Sequence, residues 1–351
     1  PMNHTKKPQV ICLIAPTASG KTALAYQLYD TGRYALISVD SALIYRDMNI
    51  GTAKPSAEEL LRYPHALVDI IDPDQSYSVA QFVNDVEEQI KLAHDQGKTP
   101  VLVGGTLMYY MALLEGINDI PATLPQTRAR VSKMIADQGI NEVYAYLHQV
   151  DPTLAKRLQP NDSQRIGRAV EIFLQTGQPL SMWQQQPTLA LANNPSQHWQ
   201  ILAIMPDRQW LHERIAMRLD LMWQQGFIEE VIALQQKYTL HANLPAMRCV
   251  GYRQVWEFLE KINAKTAMTP NTDPNNLQNN PSRFLLNMHS PVMQDDRQTM
   301  RNEALYATRQ LAKRQYTWMR KLISTPHLAA RFDIQPLTTI QQAKQLLIKT
   351  I

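Results

Sequence analysis

The stretch Val10-Ile-Cys12-Leu-Ile-Ala15-Pro16-Thr17-Ala18-Ser19-Gly20-Lys21-Thr22 decides the fold. Val10 to Ala15 is a short apolar run that reads as a buried strand, and Thr22 to Tyr29 has helical composition. Strand, tight loop and helix in that order are the context a phosphate-binding loop requires. Gly20 lets the backbone turn its amides inward, Lys21 supplies a positive point charge, and the Thr22 hydroxyl can hold Mg²⁺. The partial positive charge at the helix start adds to these. Ala15 stands where the strict GxxxxGK[ST] pattern has glycine, which is tolerable only where its φ is negative. Read alone, residues Ala15 to Thr22 are a nucleotide-binding fingerprint with ATP as the obvious client, and they point to a substrate carrying a diphosphate or triphosphate.

Outward from the loop, Tyr34 to Val39 reads as a second strand stopped by Asp40-Ser41. Ser78 to His94 has helical spacing at Val79, Phe82, Val83, Val86 and Ile90, and Val101 to Val103 is a third strand entering Gly104-Gly105-Thr106. Alternating strands and helices give an α/β fold, a parallel sheet with helices on both faces, whose ligands gather at the carboxyl ends of the strands. Asp40 and Thr106 both stand at such ends. Each has two readings: turn or cap chemistry, or work on a substrate, with Asp40 accepting a proton from a nucleophile.

Five segments follow from the composition. Residues 1–120 are the phosphate-loop core, and 121–198 are wholly helical, with breaks at Pro125, Pro152, Pro160 and Pro179, an all-helical insertion. Residues 199–263 return to the core with a strand from Trp199 to Met205 and long amphipathic helices. The proline- and asparagine-rich stretch 264–296 reads as a flexible loop, and 297–351 as a basic helix, Met300 to Ile323, with a tail; the C-terminal part is thus helical too.

Charge and composition exclude several classes. With 44% hydrophobic and 19% charged residues the chain is ordinary for a globular protein, and no apolar run approaches a membrane span. Lys6 and Lys7 precede only Val10 to Ala15, too little for a signal peptide, so a cytoplasmic monomer is the expectation. Two cysteines, Cys12 and Cys249, without CxxC spacing rule out a disulfide framework or a zinc site. The net charge is only +4, but Arg301, Arg309, Lys313, Arg314, Arg320 and Lys321 face a single acid, Glu303, between 301 and 321. Such a stripe is the footprint of a polyanion partner. Arg309, Lys313, Tyr316 and Arg320 share one helix face, an aromatic among cations that suits nucleic acid. Arg214 and Arg218, four apart on a helix, read on their own as a solvated charged face with Glu213 and Asp220.

Together these segments resemble the tRNA dimethylallyltransferase (tRNA isopentenyltransferase) family. The resemblance rests on Ala15 to Thr22, Ser38-Val-Asp-Ser-Ala-Leu-Ile-Tyr45, Asn49-Ile-Gly-Thr-Ala-Lys-Pro55 and Val103-Gly-Gly-Thr106 with Tyr109-Tyr110. It continues through Pro160-Asn-Asp-Ser-Gln-Arg-Ile-Gly-Arg168, Gly226-Phe-Ile-Glu-Glu230, Arg248-Cys-Val-Gly-Tyr-Arg253 and Ala307-Thr-Arg-Gln-Leu-Ala-Lys-Arg-Gln315. Ala66 departs from it, since a second histidine is expected after His65. The resemblance implies a P-loop NTPase-like core and transfer of a dimethylallyl group from dimethylallyl diphosphate to N6 of the adenosine 3′ to the anticodon, with Mg²⁺. It implies Asp40 as the base, Thr106 as a contact to the prenyl diphosphate or the base, and Arg218 with the loop as diphosphate ligands. The implied tRNA contacts are Asp40, Ser41, Ala42 and Leu43; Arg128; Gln164, Arg165, Ile166, Gly167 and Arg168; Arg248, Cys249, Val250, Gly251, Tyr252 and Arg253; and, on the basic helix, Lys313, Arg314, Tyr316 and Arg320 beside Arg309. The alternatives are a small-molecule kinase, in which Asp40 would activate a hydroxyl, an isopentenyltransferase acting on free AMP, and a non-enzymatic RNA-binding protein, which would have no use for the phosphate loop.

Overall fold

The computed structural model describes residues 6–118, 120–185, 190–267 and 291–348. The chain forms two compact units, Pro1–Leu114 with Asn194–Ile351, and Glu115–Asn193.

The larger unit is built on strands β1 (Gln9–Ile14), β2 (Tyr34–Ser38), β3 (His65–Ala66), β4 (Thr99–Gly104), β5 (His198–Ile204) and β6 (Asp333–Leu337). They form one sheet in the order β3-β2-β4-β1-β5-β6, with every pairing parallel. β1 is buried from Val10 to Ile14 without alternation, as a strand covered on both faces must be. On one face Ile11, Leu13, Val101, Val103, Leu202 and Ile204 pack with Leu24, Ala25 and Leu28 of helix α1 (Lys21–Asp30). Ala343 and Leu347 from near the C-terminus complete that layer. On the other, Tyr110 of α4 (Leu107–Glu115) reaches the strand carbonyls of Leu13, Leu102 and Gly104.

Helix starts follow their caps. Between α1 and α4, α2 (Ala57–Arg62) and α3 (Val79–Asp95) each begin at a serine capping box, Ser56 with Glu59 and Ser78 with Gln81. The smaller unit is all-helical: α5 (Pro125–Gln138), α6 (Ile140–Val150), α7 (Pro152–Ala155), α8 (Ser163–Thr176) and α9 (Leu180–Gln185). They close on Val131, Val143, Leu147, Ile166, Val170 and Ile172.

Back in the larger unit, α10 (Arg208–Gln225) is capped by Asp207, whose side chain accepts from Trp210 N, a cap worth about 1 kcal/mol. It is followed by α11 (Phe227–Lys237), α12 (Tyr252–Ala267), α13 (Pro291–Ser324), α14 (Pro326–Arg331) and α15 (Ile340–Ile348).

One expectation needs correction. The segment 264–296 is not one loop: Ala264 to Ala267 belong to α12, and Pro291 to Asp296 already belong to α13. Lys261 and Lys265 of α12 both reach Asp296 of α13, so helix-forming residues continue past the composition change on both sides. Residues 268–290 lie outside the described part. The helical C-terminal part also carries one strand, β6, which pairs with β5 at the sheet edge.

Candidate active site

The site is assembled by loops that leave the sheet at its carboxyl edge. After β1 the phosphate loop turns through Ala18 (φ 61°) and Gly20 (φ 88°), both left-handed. The strain therefore sits at Ala18, while Ala15 keeps a negative φ and donates its amide to Gly104 O at 3.2 Å. Replacing the first glycine with alanine is harmless here because that position never enters the left-handed region.

Gly104 allows the loops after β2 and β4 to touch. A Cβ there would lie 1.9 Å from Val39 O, which no side chain survives. The close approach lets Ser41 N donate to Thr106 Oγ1 at 3.0 Å and puts Asp40 and Thr106 on one ledge. Asp40 Oδ1 accepts the amides of Ala42 (2.7 Å) and Leu43 (3.2 Å). Both readings of Asp40 are thus compatible: one oxygen pins the turn, and no hydrogen bond reaches Oδ2 among the described residues.

From α10, Arg218 donates from Nη1 to Thr17 Oγ1 at 3.0 Å, so it is a loop partner rather than part of a solvated face. Lys21 Nζ donates to Pro16 O at 3.2 Å. Burial lowers the Lys21 pKa to about 8; the Arg218 charge pushes the same way and Asp40 opposes it. Burial also lowers Arg218, with Asp40 again opposing. Two cations in one half-buried site, with a single carboxylate close enough to act on both, are poised for an anion with several negative charges. Ser19 Oγ and Ser38 Oγ are buried and have no hydrogen-bond partner among the described residues; Ser38 lines the cavity and is free to bond a ligand there.

Asp40, Thr106, Lys21, Thr17, Ser38 and Arg218 line one cavity of about 720 Å³. Its walls include Thr17, Lys21, Thr22, Ser38, Asp40 to Leu43, Thr106 and Arg218, together with Arg248 to Tyr252 and Arg314. The Cys249 thiol, pushed up to about 12 by burial and by the Asp40 charge, stays protonated and is no nucleophile.

Other predicted contacts fall elsewhere. Tyr316 is buried in the helical core, and its hydroxyl donates to Pro206 O; it is unable to stack on a base, because the α13 face that holds it is the core face. Lys313, Arg314 and Arg320 of that helix are exposed, and Arg309 is half-buried. Tyr252 and Gly251 border the cavity but are buried, with the Tyr252 hydroxyl held by Glu230. Arg253 is exposed and paired with Glu257 at 3.0 Å. In the smaller unit Arg128, Gln164 and Arg165 are exposed. Ile166 and Gly167 are not available, since they form the inner face of α8, and Gly167 packs beside Val131 and Ile135. Arg168 is half-buried, bound to Thr123 Oγ1 and to Pro121 O.

Two positioning residues escaped the sequence reading. Gln315 of α13 is buried; its Nε2 donates to Gly105 O at 2.9 Å, and its Oε1 accepts Thr17 N at 3.4 Å, tying the loops after β1 and β4 together. Glu230 of α11 accepts the amides of Asn49 (3.1 Å), Ile50 (2.7 Å) and Gly51 (3.4 Å). Both stand inside quoted motifs, but only the fold shows what they hold.

A phosphate loop at the carboxyl edge of a parallel sheet, with a carboxylate and a second cation facing it, defines a P-loop NTPase-like enzyme that works on a phosphorylated substrate. The family follows from comparison: the IPP transferase family matches residues 43–322, and the chain belongs to it. The tRNA dimethylallyltransferase of Psychrobacter arcticus is 54% identical over 343 residues, covering 92% of this chain and 83% of the relative. That of Acinetobacter baumannii is 45% identical over 339 residues, covering 96% of each. Among solved structures, the tRNA isopentenylpyrophosphate transferase of Bacillus halodurans aligns with a TM-score of 0.58 at 26% identity, covering 98% of this chain and 95% of the other.

Proposed function

We propose that this chain transfers a dimethylallyl group from dimethylallyl diphosphate to the exocyclic N6 of the adenosine 3′ to the anticodon in tRNA. The observation that carries the reading is the single cavity in which Thr17, Lys21, Thr22, Arg218, Asp40 and Thr106 converge. An allylic diphosphate ionises readily because positive charge spreads over the allyl system. The protein's task is therefore to stabilise the departing diphosphate and to position the amine. The C–O bond breaks with its electron pair leaving on the diphosphate, which the loop amides, Lys21 and Arg218 receive. The C–N bond forms, and the proton leaving N6 passes to Asp40 Oδ2. Thr106, braced by Ser41, is within the same ledge and orients the incoming group.

Mg²⁺ belongs to the proposal. Among the described residues no cluster of three or more His, Cys, Asp and Glu could hold a metal, but Mg²⁺ commonly takes one protein oxygen and completes its shell with phosphate oxygens and water. Thr22 Oγ1, at the exposed start of α1, fits that role beside the diphosphate, and the bound ion would offset leaving-group charge. The exposed Lys313, Arg314, Arg320, Arg248 and Arg253, with Arg128, Gln164 and Arg165 in the smaller unit, are the proposed tRNA contacts. No helix among the described residues is long and apolar enough to cross a membrane, and we take the protein to act in the cytoplasm as a monomer.

The deciding experiment incubates the protein with dimethylallyl diphosphate, Mg²⁺ and a synthetic anticodon stem-loop, then weighs the nucleosides after digestion. One adenosine should gain a dimethylallyl group. Parallel arms with AMP as acceptor and with ATP should give no prenylated AMP and no phosphoryl transfer; either product would replace this reading.

A further inference from the structure

A base drawn out of an RNA loop loses its stacking partners, and a protein that accepts it must supply a flat surface in their place. Most rings around the cavity are unsuited to this. Tyr45, Tyr109, Phe227 and Tyr252 are buried, and the Tyr77 hydroxyl is bound to Asp85. Trp318 of α13 is different: it lines the same cavity yet is 39% exposed. Isolated exposed tryptophans need no explanation, but this one sits in a built setting. It shares a helix face with Leu311, Arg314 and Gln315, at i, i+3, i+4 and i+7, all of which line the cavity. Gln315, one turn earlier, fixes that turn of α13 to Gly105, and Met319 and Leu322, fully buried next to Trp318 and one turn later, hold that stretch of the helix in the core. The Lys321 ammonium lies over the Trp318 ring at 5.0 Å from its centroid. Among the described residues no other aromatic ring stacks on it.

From these contacts we infer that Trp318 is the platform on which the entering base of the anticodon loop stacks, with Arg314 and Lys321 beside it to take flanking phosphates. A rigid indole among exposed cations is the combination that binds single-stranded nucleic acid. It takes the place that the sequence stripe gave to Tyr316, two residues earlier and about 200° round the helix. The inference rests on the proposed acceptor being an RNA base.

Binding of two synthetic anticodon stem-loops tests it, one intact and one abasic at the target position, against wild type, Trp318→Ala, Trp318→Phe and Trp318→Leu. Trp318→Ala should weaken the intact stem-loop about tenfold and bind the abasic one as wild type does. Its KM for dimethylallyl diphosphate should not move. Phenylalanine should restore most of the affinity; leucine, which fills space but offers no ring, should not. Equal losses on both stem-loops, no loss on either, or rescue by leucine would overturn the assignment. Should the alanine variant fail to fold, the phenylalanine and leucine pair decides alone. Wild type that fails to prenylate the intact stem-loop would refute the functional reading instead, whereas active wild type with any of the overturning results refutes only the role of Trp318.

Discussion

Replacing Gln315 with leucine isolates the tie between the two substrate-binding loops. The side chain is buried, its volume is nearly conserved, and it makes two bonds of unequal quality. The 2.9 Å bond from Nε2 to Gly105 O is well formed, while the 3.4 Å bond from Thr17 N is at the long limit. Leucine orphans the Gly105 carbonyl, and a buried polar group left without a partner costs about 1–3 kcal/mol. Thr17 N loses little, because its bond was weak and a bound diphosphate can accept it. A net loss of about 2 kcal/mol corresponds to a fall in Tm of about 4 °C for a domain of this size. The loop would also be less preorganised, and about 1 kcal/mol of that loss appearing in binding raises the KM for dimethylallyl diphosphate about fivefold. Gln315→Glu sharpens the test: it keeps an acceptor for Thr17 but sets a carboxylate oxygen against Gly105 O, so it should be worse than leucine on both measures. Differential scanning calorimetry and initial rates at saturating stem-loop RNA read the two effects. A leucine variant with unchanged Tm and unchanged KM, or a glutamate variant milder than leucine, would refute the argument.

Other outcomes follow from the same geometry. Asp40→Asn keeps an oxygen for the Ala42 and Leu43 amides but cannot take a proton, so turnover should fall by about 100-fold or more while RNA affinity holds within about twofold; equal turnover would remove Asp40 as the base. Lys21 is lowered to about 8 by burial, and in its proposed role it binds the diphosphate only when protonated. The kcat/KM for the prenyl donor should therefore decline as pH rises through about 8, a limb that Lys21→Arg should abolish; a wild-type profile flat to high pH would contradict this. Lys313→Gln should lower the slope of log affinity against log salt by about 0.7–0.9, the share of one phosphate contact, and an unchanged slope would place Lys313 off the RNA.

The phosphate loop, the sheet around it and the helical insertion were legible because each depends on local pattern: a continuous apolar strand, a glycine-lysine-threonine turn, proline-marked helix starts. Asp40 and Thr106 were legible as strand-end residues, and the fold supplies what brings them together, the close crossing at Gly104. Long-range partners were not legible. Nothing local distinguishes Gln315, which reaches a loop 210 positions away, from any glutamine on a basic helix. Tyr316 misled because helical periodicity says which residues share a face but not whether that face meets solvent. Ile166 and Gly167 came with a segment matched as a whole to the family, and a matched segment does not say which of its residues face inward. β6 was missed because five residues containing a proline, Asp333-Ile-Gln-Pro-Leu337, give a weak strand signal, which suffices only at an edge.

That last strand gives the protein an unusual order of manufacture. β1 emerges from the ribosome first, but its neighbour β5 follows about 190 residues later and β6 later still. α15, whose Leu347 carbonyl accepts the Tyr34 hydroxyl and whose Ile340 lies beside Gly20, is made last of these elements. At about 5–20 residues per second, the phosphate loop waits some 15–60 s for its last supports. During that interval the nascent chain carries an apolar strand edge and an uncovered α1, the kind of surface that chaperones hold. A stop codon after Arg331 would remove β6 and α15 and leave a chain with the proposed catalytic side chains but without the last supports of α1.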